Sequence, residues 1–89
     1  MSYNVTVRDI EKNAEIVDVV EIRNVDELYG LKYRWYKRRE FHHYLVVITN
    51  DENCVRCSFV CHSLGIEMAN AVIYRFERMT ISEFIDRLF

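Results

Sequence analysis

Seven consecutive residues, Tyr33 to Arg39 (YRWYKRR), interleave aromatic rings with cationic groups, and Lys32, His42 and His43 lie beside them. Planar rings stack on unpaired bases while Arg and Lys neutralise phosphates, so this composition suits a single-strand or RNA-binding surface. Trp, Tyr and Arg are equally the residues that dominate protein–protein hot spots. A plainer reading puts Tyr33 and Trp35 in the core and leaves the basic residues as a solvated strand edge that resists edge-to-edge pairing. Nucleic-acid modules are usually basic, whereas this chain has a net charge of -2. Docking of a protein partner on Tyr33, Trp35, Tyr36, Lys37, Arg38 and Arg39 is therefore the leading expectation, with nucleic-acid binding through 32–39 as the alternative.

Cys54, Cys57, Cys61 and His62 form a second group of chemistry-bearing residues. Three thiols and an imidazole can complete a tetrahedral zinc site, and Cys54 and Cys57 have the two-residue spacing of zinc knuckles. All four nevertheless fall within one short segment. On a strand, Cys57 and Cys61 point one way while Cys54 and His62 point the other. Packing as small apolar side chains is the expected role, with no metal and no cofactor. Catalysis would have to come from Cys61 with His62, or from His42 and His43 with Glu40. Adjacent strand residues face opposite sides and nothing supplies an oxyanion hole, so no reaction is nominated and the chain is read as non-enzymatic.

The totals set the frame for these groups. Eighty-nine residues make one domain, 1–89, too short to divide into two cores. Two glycines and no proline leave no phosphate-cradling loop of the Walker or dinucleotide type. No apolar stretch approaches the roughly 18 residues needed to cross a bilayer. With Met1 followed by polar residues and an odd number of cysteines, a cytoplasmic protein with no membrane contact is expected. The charge is segregated: seven acids against three bases before Lys32, then five bases against one acid from Lys32 to His43, then six acids against four bases. Segregation of this kind orients a molecule toward a partner.

Apolar patterning supplies the elements that must position these side chains. Tyr3–Asp9 alternates as a half-buried strand, and Glu15–Arg23 repeats the pattern except where Asp18 interrupts its even-numbered face. Lys12 and Asn13 make a hairpin connection. Asn24 and Glu27 read as a helix start and Gly30 as its end, giving a short helix over Val25–Tyr29. Leu31–Tyr36 is preferred as a strand; continued as a helix, it would align Tyr29, Tyr33 and Tyr36 and place Gly30 in the interior at a cost of about 1 kcal/mol. Phe41–Thr49 reads as a central strand, Asn50–Asn53 as a turn, and the segment after Cys54 as a returning strand with Val55, Cys57, Phe59 and Cys61 inward, although a helix fits it too.

Ser63–Met79 is the strongest helical segment, with Ile66, Ala69, Ile73 and Phe76 on one stripe flanked by Met68 and Val72. A capping box at Thr80–Glu83 and a staple between Met79 and Phe84 open a last helix over 81–88. The expected fold is α+β, a four- or five-stranded, mainly antiparallel sheet with two C-terminal helices packed on one face and the other face partly open. The expected function is a small protein-interaction module that occupies a partner surface. Chains of this size without motifs are often viral or mobile-element accessories that inhibit a larger host defence complex, which would place this one in host cytoplasm. Homodimerisation through the open face or an edge strand is a further alternative.

Overall fold

Val5, Val7 and Asp9 alternate with Asn4, Thr6 and Arg8, and this period of two makes the first strand, β1 (Tyr3–Asp9), half-buried. In the computed structural model residues 2–79 are described in full, and of 80–88 only their place in the last helix. A 3₁₀ turn at Ile10–Lys12 leads into β2 (Glu15–Ile22). Then come α1 (Val25–Trp35), β3 (Tyr44–Asn50), β4 (Val55–Cys61) and α2 (Ile66–Leu88). The four strands form one antiparallel sheet in the order β2-β1-β3-β4. Two hairpins are thus joined through β1 and β3, with α1 as the long connection between them.

Both helices cover the same face. Val5, Val7, Val46 and Ile48 from the central strands join Leu28, Leu31 and Trp35 of α1 and Met68, Ala69, Val72, Ile73 and Phe76 of α2 in one buried core. Arg75 of α2 lays its guanidinium 3.9 Å from the centre of the Phe59 ring on β4, and the phenol of Tyr29 on α1 donates to Glu77 of α2 at 2.9 Å. Cys57, Phe59 and Cys61 pack against the core from β4 as expected, while Val55 is exposed. No helix lies on the opposite face among the described residues. It presents Ile16, Val19, Val55 and Val60 to solvent beside Thr6, Thr49 and Ser58.

The α+β class and the antiparallel sheet of four strands agree with the sequence reading. The arrangement of helices differs in its detail. The partner of α2 on the covered face is α1 from mid-chain, and residues 81–88, expected as a separate last helix, continue α2 without a break. Ile66, expected in the buried stripe, is instead 45% exposed at the first position of α2.

Leu31–Tyr36 is helix rather than strand. Asn24 caps the start as expected, its Oδ1 accepting the Glu27 N–H at 2.9 Å. The helix then continues through Gly30, which has no positive φ. Leu28, Leu31 and Trp35 recur at i, i+3 and i+7, and burying all three outweighs the glycine penalty of about 1 kcal/mol. A strand would have sent Tyr33 inward with Trp35, whereas Tyr33 is 81% exposed. A Cβ at Gly30 meets no atom within 4 Å. Gly30→Ala is therefore expected to raise stability by about 0.5–1 kcal/mol, read as a higher denaturant midpoint at unchanged slope.

Candidate interaction surface

The exposed flank of α1 carries Tyr29, Tyr33 and Tyr36 at i, i+4 and i+7 or its equivalent, one ridge along the helix and its C-terminal cap. Lys32 sits over the Tyr29 ring and Lys37 over the Tyr36 ring, at 5.9 and 5.6 Å from the centroids. At the end of this ridge the chain turns sharply. The Arg38 N–H bonds back to the Trp35 carbonyl, and Arg39 takes a left-handed conformation at φ 45°. Glu40 then pairs reciprocally with Leu64, its N–H donating at 3.1 Å and its carbonyl accepting at 2.7 Å. This short bridge ties the segment after α1 to the segment before α2.

Between those two segments lies a groove of about 620 Å³, lined by Tyr36, Arg39, Phe41, Ser63, Gly65, Ile66 and Glu67. Its rim is apolar, with Phe41 74% exposed and Tyr36 and Ile66 each nearly half exposed. Gly65 faces the Arg39 backbone across the groove, and an added Cβ would stand at ordinary van der Waals distance, 3.6 Å, from the Arg39 nitrogen. Ser63 Oγ donates to Glu67 at 2.9 Å and fixes the wall at the start of α2.

Of the six residues expected at a docking surface, five are at least partly exposed and one is not. Trp35 is 0% exposed and belongs to the core. Its indole N–H donates to Asp18 Oδ2 at 2.7 Å, and Arg34 grips the same carboxylate with two bonds of 2.9 and 2.7 Å. Asp18 thus interrupts the apolar face of β2 because it must satisfy a buried indole. The Arg34 hydrogen bond outweighs partial burial and holds the Asp18 carboxyl below its ordinary value. Arg38 pairs with Glu40. Arg39, by contrast, has no ion-pair partner among the described residues. Phe41 and Ile66 were not foreseen at this surface, since both carry the apolar signal that a sequence reading assigns to the core.

His42 and His43 do not pair with Glu40. They meet Asp9 and Glu11 at one end of the sheet, where the loop entering β3 crosses the 3₁₀ turn. His42 Nδ1 lies 2.8 Å from Asp9 Oδ2, and the Glu11 carboxylate accepts the His43 N–H at 2.7 Å. The hydrogen bond to Asp9 raises the His42 pKa. Burial alone would raise Asp9, but the bonds from His42 and the Glu11 N–H, with the charges of His42 and Lys12, outweigh it and hold the carboxyl low. The bond from the His43 N–H likewise lowers Glu11. The stabilisation from a raised histidine is complete below its unfolded value, about 6.5, and is lost as pH climbs through the folded value. The stabilisation from a lowered aspartate is complete above its unfolded value, about 4, and is lost as pH falls through the folded value. The pair thus stabilises the fold most between those two values. The melting-temperature gap between the parent protein and His42→Gln should be widest near pH 5–6 and narrow as pH rises above the ordinary histidine value; a gap independent of pH would refute the charged pair.

Cys57 and Cys61 are half-buried on the inner face of β4, and Cys54 is exposed in the preceding turn. Cys61 Sγ donates to the Ser63 carbonyl at 3.3 Å. No helix among the described residues is long and apolar enough to cross a membrane. No family model matches the chain, and no curated protein or solved structure is significantly similar to it.

Proposed function

We propose that this chain is a small protein-interaction module whose partner docks on the tyrosine ridge of α1 and the groove beyond it. The observation that carries this reading is the exposed apolar rim of Tyr36, Phe41 and Ile66 around Arg39. Aromatic anchors beside an arginine are what the energetic centre of a protein interface uses. Tyr33 and Lys37 extend the surface along the helix. The occupied surface of the partner would be blocked to its other ligands, which is the activity of an inhibitor or adaptor of a larger complex. Single-strand binding is less well served, because Arg34 and Arg38 already face carboxylates and Trp35 offers no ring to a base.

The test is a pull-down of the tagged protein from its native lysate, divided into nuclease-treated and untreated halves and read by mass spectrometry. A protein captured in both halves by the parent chain and lost with Phe41→Ala supports the proposal. Capture that depends on intact nucleic acid, or that ignores Phe41→Ala, overturns it.

A further inference from the structure

We propose that the histidine end of the sheet is a divalent metal site, with Asp9, Glu11 and His42 as ligands and zinc as the ion it takes best. One donor atom from each of the three lies within 4.8 Å of the other two. The Asp9 Oδ2 to His42 Nδ1 separation of 2.8 Å is a hydrogen-bond length. It is also close to the roughly 2.9–3.4 Å between two donors that each stand about 2.0–2.1 Å from one tetrahedral or octahedral ion. A metal can therefore take the place of the shared proton with small movements.

Two stretches far apart in the chain bring the ligands together. Asp9 ends β1, Glu11 sits in the 3₁₀ turn, and His42 comes from the loop before β3. The Ile10 N–H bonds the His43 carbonyl at 2.8 Å and the Asp9–Tyr44 pairing closes the sheet there, so the backbone is fixed in the absence of any ion. The ligands are also oriented by their neighbours. Asp9 Oδ1 accepts the Glu11 N–H at 3.0 Å, and Glu11 Oε2 is held by the His43 N–H. The Asp9 side chain is 3% exposed while those of His42 and Glu11 are 40% and 49% exposed. The site thus has a buried anionic wall and an open side for entry and for water ligands.

All three histidines of the chain gather at this end. His43 Nδ1 lies 3.3 Å from Glu11 Oε2, and the rings of His43 and His62 meet edge-on at 4.9 Å. Imidazole with carboxylate favours zinc and its transition-metal neighbours over magnesium or calcium, which prefer all-oxygen shells. Binding removes the proton from His42 Nδ1 to solvent and forms the metal–nitrogen bond, so affinity rises with pH.

The test is zinc titration of the whole chain by calorimetry at pH 6 and 7, with amide NMR spectra to locate the ion. The expected result is one zinc per chain, a lower dissociation constant at pH 7 than at pH 6, and shifts concentrated at 9–12 and 40–44. His42→Ala and Glu11→Gln should each weaken binding at least tenfold, and folded spectra of both variants without zinc keep the comparison valid. Failure to bind at millimolar zinc, shifts confined to 54–61, or unchanged affinity in both variants would overturn the site.

Discussion

Trp35→Ala is expected to destabilise the domain by about 3–5 kcal/mol. The indole is fully buried where α1 meets the sheet, and its ring is the largest side chain in the core. A domain of this size has only about 5–15 kcal/mol of net stability. The variant should therefore show a melt displaced by tens of degrees or no cooperative melt at all in circular dichroism. Asp18→Ala tests the other end of the same arrangement. It leaves the buried indole N–H without its 2.7 Å acceptor and releases Arg34, for a cost of about 2–3 kcal/mol. The two losses should not add, because the indole and carboxylate are one unit; the double variant should cost less than the sum of the single ones. A Trp35→Ala protein melting within about 1 kcal/mol of the parent would refute the burial argument.

The second large effect concerns binding rather than stability. With the partner in hand, Phe41→Ala and Tyr36→Ala should each cost more than about 2 kcal/mol of affinity, roughly thirtyfold in dissociation constant. Neither ring is in the core, so the melting curves should stay within about 0.5 kcal/mol of the parent. Val19→Ser on the uncovered sheet face serves as the control and should leave affinity unchanged. Weak dependence on salt should accompany the loss, since a packed aromatic rim releases few counterions compared with phosphate contacts. Calorimetry that finds both groove variants binding like the parent would eliminate the groove as the energetic centre.

Local signals in the chain carried much of the fold. Val5, Val7, Val46 and Ile48 announce their strands by alternation, Asn24 announces a helix by its capping geometry, and Asn50 announces a turn by the carboxamide that accepts the Glu52 and Cys54 N–H groups at 2.9 Å. The same local logic failed at Gly30, because the energy that carries α1 through that residue comes from Leu31 and Trp35 meeting a core assembled from distant strands. Of the proposed docking surface, the stretch from Tyr33 to Arg39 is visible in the sequence as a run of aromatic and basic residues. Phe41 and Ile66 are not, since apolar character alone does not say which of two apolar residues the tertiary structure will leave outside. The meeting of Asp9 and Glu11 with His42 and His43 depends on the pairing of β1 with β3, and no spacing within the chain encodes it.

That pairing also governs the order in which the molecule can assemble. β1 lies in the middle of the sheet, bonded to β2 nearby in the chain and to β3 some forty residues later. A chain emerging during synthesis can close its first hairpin early, yet one long edge of β1 stays unsatisfied until β3 arrives. During that interval Val5 and Val7 have no β3 beside them, and of the two helices that cover them only α1 has been made. The slow step of folding is thus expected to be the docking of two preformed hairpins across β1 and β3, and the exposed edge of the first is where a nascent chain would meet either a chaperone or another copy of itself.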